Sequence, residues 1–166
     1  TLIIVSSDNG PVLFDGYWEG AIEKNGIHRP AGPWPGGKYS RWEGGTRMPL
    51  IDSWPSRVKT GISEARVSQV DLFASIASLI DRPMPANAGA DGVDILPALL
   101  GESAQGRAFI IQEALTQLGA RKGNWKYLPP GSITERGGIG EWIETVVEEP
   151  GMLFNLSDDP GETKDL

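Results

Sequence analysis

The chain opens with the segment Thr1-Leu-Ile-Ile-Val-Ser-Ser-Asp-Asn-Gly-Pro11, in which an apolar run is followed at once by turn-forming residues. Residues 2–5 are typical of a strand buried on both faces, as in a parallel or mixed sheet. Residues 6–11 end this strand with strong turn chemistry. Because no start methionine and no turn precede the strand, we expect the chain to be a piece of a longer protein.

Two side chains that carry oxygen ligands, Asp8 and Asn9, follow this strand. Ligands of open sheets gather beyond the carboxyl ends of parallel strands. A carboxylate beside an amide oxygen suits calcium or magnesium better than zinc or iron. The same dipeptide is also typical of an ordinary tight turn, in which Asp8 bonds to local amides, and the residues alone favour that interpretation.

A basic, turn-rich segment follows at residues 26–49. It contains ten Gly or Pro residues out of twenty-four, and its cations outnumber its single acid, Glu43. Long irregular segments inside compact domains are usually functional or disordered, and the interspersed aromatic residues argue against disorder. We therefore expect a binding loop here.

Lys38 is the strongest candidate in this segment, within Pro35-Gly-Gly-Lys-Tyr-Ser-Arg-Trp-Glu-Gly-Gly-Thr-Arg47. The preceding glycines let the backbone approach a ligand, and the ammonium is a compact charge for an anionic oxygen. The spacing is not that of a nucleotide phosphate loop. A solvated surface lysine is the alternative. His28 is the only histidine, and Arg47 follows Glu43 at a spacing that predicts a structural ion pair.

Further elements are predicted along the rest of the chain. They are a strand at 48–54, a helix over 67–80 with Ser68 as N-cap, a short turn or helix at 91–101, strands at 108–114 and 124–128 as antiparallel neighbours, and a last strand at 152–155.

The composition excludes several classes of protein. With 39% hydrophobic and 22% charged residues, the chain is neither disordered nor a coiled coil, and no apolar run is long enough to cross a bilayer. The net charge of −7 argues against nucleic acid as a partner, and we expect no membrane partner. The absence of cysteine excludes a thiol nucleophile from this chain but does not settle the compartment, for which we expect a periplasmic or secreted bacterial location.

Together these motifs resemble the C-terminal part of a formylglycine-dependent sulfatase of the arylsulfatase type. The resemblance rests on Ser-Asp-Asn-Gly-Pro after a strand, on Gly-Gly-Lys-Tyr-Ser-Arg-Trp-Glu-Gly-Gly-Thr-Arg, on Gly123-Asn-Trp-Lys-Tyr127, and on Leu153-Phe-Asn-Leu-Ser-Asp-Asp-Pro-Gly-Glu-Thr163, in the order of the family. It implies an alkaline-phosphatase-like fold, α/β to α+β, with a small antiparallel sheet packed on helices. It also implies that residues 1–83 end the large sulfatase domain and that residues 84–166 form a small C-terminal α+β domain.

The resemblance further implies roles for single residues. Asp8 and Asn9 would supply two ligands of a calcium ion, with magnesium as the alternative, and Lys38 would contact the sulfate of the substrate. His28 would touch the substrate or assist the leaving group. The expected partners are a sulfated small molecule or glycan and the N-terminal remainder of the same protein.

The chain departs from the family pattern in one respect that bears on activity. The family's nucleophile lies in a Cys/Ser-x-Pro-x-Arg segment, whose Cys or Ser is oxidised to formylglycine, and the sequence has no such segment at the family position. Ser53-Trp-Pro-Ser-Arg57 mimics the string but aligns with the strand after the lysine. We therefore expect the chain to be inactive alone. The alternatives are a phosphate or phosphonate ester hydrolase of the same superfamily and a non-catalytic module that binds a sulfated glycan or a partner.

Overall fold

The computed structural model describes residues 1–13, 19–85, 87–132 and 146–166. In this part of the chain it contains four short helices and eight strands. The helices are α1 (Ala21–Asn25), α2 (Glu43–Thr46), α3 (Asp71–Leu79) and α4 (Leu96–Leu99). The strands are β1 (Ile3–Ser6), β2 (Leu50–Ser53), β3 (Phe109–Ala114), β4 (Gln117–Lys122), β5 (Trp125–Leu128), β6 (Gly131–Ser132), β7 (Val146–Val147) and β8 (Met152–Asn155). Among the described residues, no helix has the length and apolar character needed to cross a membrane.

The chain divides into two compact units whose segments alternate along the sequence. The first unit comprises Thr1–Val5 and Ile51–Ile110, and the second comprises Ser6–Leu50 and Ile111–Leu166. The expected boundary between a large and a small domain, after residue 83 of this chain, stays a prediction.

In the first unit, β1 and β2 form a two-stranded sheet, as the apolar runs predict. The expectation that β1 is buried on both faces is wrong for this chain, because Ile3 and Val5 are 57% and 56% exposed. An apolar run shows that a strand favours burial, but it does not show which part of a protein covers it.

Helix α3 begins at Asp71, three residues after the predicted N-cap. The Asp71 carboxylate is fully buried and accepts the backbone N–H groups of Ser68 and Val93, each at 2.9 Å. The Arg107 guanidinium donates its Nε–H to both carboxylate oxygens at 2.8 Å. We call these four residues the Asp71 cluster. Its amide, carboxylate and guanidinium groups fix the start of α3.

In the second unit, a four-stranded sheet has the order β3-β4-β5-β8. Strand β5 pairs antiparallel with β4 through Lys122 and Trp125, and with β8 through Lys126 and Phe154. The prediction that residues 108–114 and 124–128 are neighbouring strands is wrong, because β4 lies between β3 and β5. The final strand is confirmed as β8. The mixed α/β class with small antiparallel sheets is also confirmed.

One face of β5 builds the core of this unit. Along β5 exposed and buried residues alternate, so that Lys126 and Leu128 point inward. The core is formed by Leu128, Val147, Phe154 and Leu156, with Trp42 and Met152 packed against them. A tryptophan of the basic segment therefore lies against the sheet, which fixes that segment in place.

Candidate functional site

The Asp8-Asn9 turn lies directly after β1. Ser7 donates its hydroxyl hydrogen to the Asn9 carbonyl at 2.9 Å, and the Asn9 side-chain amide donates to the Gly10 carbonyl at 2.9 Å. This bond uses the amide nitrogen and leaves the amide oxygen as the ligand atom. The Asp8 carboxylate is exposed, and no residue in the described part of the chain pairs with it.

This turn is joined to the lysine-bearing segment by backbone hydrogen bonds. The Gly10 N–H donates to the Gly45 carbonyl at 3.1 Å, and the Lys38 N–H donates to the Pro11 carbonyl at 3.0 Å. A Cβ on Gly10 would come within 2.0 Å of the Gly44 carbonyl oxygen, which explains why only glycine fits there. The structure thus brings the backbone of the predicted metal-binding turn against the backbone of the predicted sulfate-binding lysine.

Lys38 lies half-buried at this junction. Its Nζ is 5.1 Å from the centroid of the Tyr39 ring, a distance typical of a cation–π contact. Tyr39 has a φ of 76°, a left-handed conformation that bulky residues rarely adopt and that clusters at functional sites. No acidic side chain among the described residues pairs with the Lys38 ammonium. It therefore keeps its charge available for an anion.

His28 stands apart from these contacts. Its backbone N–H donates to the Asn25 carbonyl at 2.9 Å as the chain leaves α1, and its side chain is exposed. Within the described residues, no hydrogen bond joins its imidazole to Lys38 or to the Asp8-Asn9 turn. Its role at the substrate stays a prediction.

Residues 35–47, which we call the lysine loop, are anchored in the second unit's sheet by three consecutive residues. Arg41 is fully buried and donates from Nη1 to the Leu118 carbonyl at 2.8 Å. Trp42 packs on the core, and Glu43 at the start of α2 is buried. Arg41 is thus a structural residue, because its guanidinium donates to backbone carbonyls.

Glu43 lies at the centre of a buried group of charges. Its carboxylate accepts from Arg121 Nη1 at 2.9 Å and from Lys126 Nζ at 3.2 Å, and its backbone N–H donates to Glu162 Oε2 at 2.7 Å. Lys126 Nζ also lies 2.7 Å from Glu162 Oε1. We call Glu43, Arg121, Lys126 and Glu162 the Glu43 cluster. The predicted ion pair between Arg47 and Glu43 is confirmed at 3.5 Å.

The pKa values of the buried acids Glu162 and Asp71 are shifted in opposite directions. Burial raises the pKa of Glu162 above its ordinary value, although the Lys126 ammonium acts in the opposite direction. Burial acts to raise the pKa of Asp71 as well. There, however, the hydrogen bond and charge of Arg107, with the amides of Val93 and Ser68, outweigh burial and hold the pKa below its ordinary value.

The donor set at the turn is compatible with a hard cation but incomplete. The Asp8 carboxylate and the Asn9 amide oxygen are ligands that calcium prefers, whereas calcium takes six to eight oxygens. The described residues contain no group of three or more His, Cys, Asp or Glu side chains that could hold a metal ion. Asp8 and Asn9 therefore offer two of the oxygens that such a cation needs, and the described residues do not complete the set.

Comparisons with known proteins bear on this arrangement. The family model described as Sulfatase matches residues 1–81. The chain is 40% identical to the N-acetylgalactosamine-6-O-sulfatase of Bacteroides thetaiotaomicron, covering 100% of this chain and 32% of that protein. It is 29% identical to human arylsulfatase A, covering 100% of this chain and 33% of that protein.

Solved structures agree with the sequence comparisons. A Bacteroides thetaiotaomicron structure from work on the metabolism of multiple glycosaminoglycans superposes with a TM-score of 0.90 at 40% identity, covering 99% of this chain and 34% of that chain. A sulfatase from Pseudoalteromonas sp. superposes with a TM-score of 0.75 at 25% identity, covering 99% and 32%. The chain spans about a third of the length of these relatives. In sequence and in structure, the chain matches about a third of proteins of the sulfatase family.

Proposed function

We propose that this chain forms one side of the active site of a sulfatase, as its C-terminal part, and that the complete protein hydrolyses sulfate esters of glycans. The reaction would be R–O–SO₃⁻ + H₂O → R–OH + HSO₄⁻. The observation that carries the proposal is the pair of backbone hydrogen bonds that join the Asp8-Asn9 turn to the lysine loop. The name of the 40% identical relative, which acts on an N-acetylgalactosamine 6-O-sulfate, supports a sulfated glycan over a simple aryl sulfate.

The candidate residues of this chain would have separate roles at the sulfuryl group. The Lys38 ammonium would bind a sulfate oxygen and offset the charge that develops during transfer. Asp8 and Asn9 would hold two positions around a calcium or magnesium ion, which when bound supplies further positive charge at the reacting group. His28 would contact the substrate or protonate the leaving oxygen. The nucleophile would come from residues outside this chain, so that the chain alone is inactive.

The rest of the parent protein is the proposed intramolecular partner. The exposed apolar side chains of Ile3 and Val5 on β1 support this, because a longer protein would cover them on folding. A periplasmic or secreted location is part of the same proposal, and fractionation of the source cells tests it.

The test uses the complete protein with 4-nitrophenyl sulfate and a 6-O-sulfated N-acetylgalactosamine substrate. We expect Lys38→Ala to lower kcat/KM about 100-fold or more, since it removes one charged donor from the transition state. Lys59→Ala, which removes an exposed lysine, is the matched control and should leave the rate unchanged.

Three outcomes would contradict the proposal. Unchanged turnover in Lys38→Ala would remove Lys38 from the site. Faster hydrolysis of phosphate or phosphonate esters than of sulfate esters would favour the other hydrolase of the superfamily. Binding of the sulfated glycan by the wild-type protein without hydrolysis would favour a non-catalytic module.

A further inference from the structure

Three segments that are remote in sequence meet at Glu43. The first is the end of the lysine loop, the second is the β4–β5 hairpin with Arg121 and Lys126, and the third is the C-terminal tail with Glu162. Glu43 is hydrogen-bonded to Arg121, Lys126 and Glu162, which lie 78, 83 and 119 residues away in the sequence. Such a junction ties the position of the lysine loop to the tail.

The energetics of this junction favour positioning over stabilisation. Lys126 is 0% exposed, Glu43 1% and Glu162 7%, so three ionisable groups have lost their hydration. Removing charges from water costs several kcal/mol per ion, and apolar replacements of buried ion pairs are often as stable. The cluster therefore fixes the orientation of Glu43, because directional charged hydrogen bonds hold both its carboxylate and its backbone N–H.

The lysine loop is tightly packed between Glu43 and Lys38. The Gly44 N–H donates to the Pro35 carbonyl at 2.8 Å, which closes the loop on itself. A Cβ on Gly45 would lie 2.3 Å from the Ser40 carbonyl oxygen and 2.4 Å from that of Gly37, so the backbone turns are in close contact. A shift of Glu43 must therefore shift the residues beside Lys38.

The tail presents Glu162 from a folded turn. The Asp159 carboxylate accepts the backbone N–H groups of Thr163 at 2.7 Å and Lys164 at 2.8 Å. Glu162 has a φ of 51°, the left-handed conformation that reverses the chain at this point. The tail thus directs its buried carboxylate at Lys126 and at the Glu43 N–H.

We propose that Lys126 and Glu162 are positioning residues for sulfate binding, acting through Glu43 on the lysine loop. This inference rests on the proposed function, since Lys38 must bind the sulfate for its position to matter. Small displacements of binding groups can reduce rates by up to about 100-fold, and we expect effects of about tenfold here.

The experiment compares variants of the complete protein by the inhibition constant of inorganic sulfate and by KM and kcat. Lys126→Met and Glu162→Ala should each raise the sulfate inhibition constant about tenfold. Glu162→Gln keeps an acceptor for the Glu43 N–H and should restore most of the affinity. In a Lys38→Ala background, Glu162→Ala should have no further effect on the inhibition constant, because both changes act on one contact.

Asp71→Asn is the matched control, because it weakens a buried ion pair that has no member in the lysine loop. It should lower stability and leave the inhibition constant unchanged. If it raises that constant as much as Glu162→Ala, the effect is general destabilisation and the inference is wrong. Should Lys126→Met fail to fold, Glu162→Ala decides alone.

The two proposals fail in different ways. An inactive wild-type protein, or a Lys38→Ala variant that binds sulfate normally, would overturn the proposed function. The positioning role alone would be overturned if Glu162→Ala binds sulfate as tightly as the wild type. In that case the wild-type protein and Lys38→Ala would still behave as expected.

Discussion

Among its described residues, the chain buries acidic side chains in two places, and it satisfies them differently. In the Asp71 cluster one carboxylate receives two backbone N–H groups and a guanidinium that donates to both oxygens. In the Glu43 cluster two carboxylates share one buried ammonium, with Arg121 as a further donor to Glu43. The first arrangement holds the pKa of Asp71 below its ordinary value despite burial, whereas burial raises the pKa of Glu162.

The opposite pKa shifts of Asp71 and Glu162 indicate that the two clusters have different roles. A carboxylate whose pKa is lowered on folding contributes stability in its charged form. A carboxylate whose pKa is raised on folding opposes stability when it is charged, so its retention needs another reason. We infer that the Asp71 cluster stabilises the start of α3 and that the Glu43 cluster mainly positions the lysine loop.

Lys126→Met is the substitution with the largest expected effect on stability. It leaves Glu43 and Glu162 buried without the ammonium between them, and breaking a buried pair in this way costs about 3 kcal/mol or more of unfolding free energy. Urea denaturation followed by tryptophan fluorescence measures it. Lys122→Met, at an exposed lysine of β4, is the control and should change stability by less than about 0.5 kcal/mol. A loss below about 1 kcal/mol for Lys126→Met would show that the ammonium is not needed to hold the two acids.

The sequence predicts much of the secondary structure, and β4 shows where prediction fails. Gln117–Lys122 contains only Leu118 and Ala120 as apolar residues, and burial does not follow them, because Leu118 is exposed whereas Gly119 is buried. The turn before it contains Leu115 at a φ of 57°, a conformation usually given to Gly or Asn. Neither the strand nor its turn therefore carries the usual signal, and tertiary pairing with β5 decides the structure.

The candidate site was predictable only in part for a related reason. Asp8, Asn9 and Lys38 lie in local motifs, and the structure joins the two motifs by backbone hydrogen bonds. Lys126 and Glu162 lie in motifs that carry the family resemblance, but these motifs do not predict burial, since charged residues are mostly exposed and the partners of these two are distant in sequence. The alternation along β5, which puts Lys126 on the same face as the inward-facing Leu128, could have indicated that Lys126 is buried.

Asp71→Asn should have an intermediate effect that depends on pH. The lowered pKa of Asp71 means that its stability contribution is present above the unfolded value near 3.8 and is lost as the pH falls through the folded pKa. At neutral pH we expect a loss of about 2 kcal/mol, since Asn keeps one acceptor but loses the charged bond to Arg107. The difference between wild type and variant should shrink as the pH falls below about 4. Thermal unfolding from pH 3 to 7 measures it, and a difference that stays constant over this range would contradict the assignment.

Glu162→Gln should have the smallest effect on stability and the opposite dependence on pH. Because the pKa of Glu162 is raised on folding, the protonated acid favours the folded state below the unfolded value near 4.5, and this contribution is lost as the pH rises through the folded pKa. Gln is neutral at every pH and resembles the protonated acid, so we expect stability within about 1 kcal/mol of the wild type at pH 7. Relative to the wild type, the variant should gain stability between pH 4.5 and 7 in the same thermal series. A loss of about 3 kcal/mol at pH 7 would instead mean that the charged pair of Lys126 and Glu162 stabilises the fold outright, and the two clusters would then serve the same purpose.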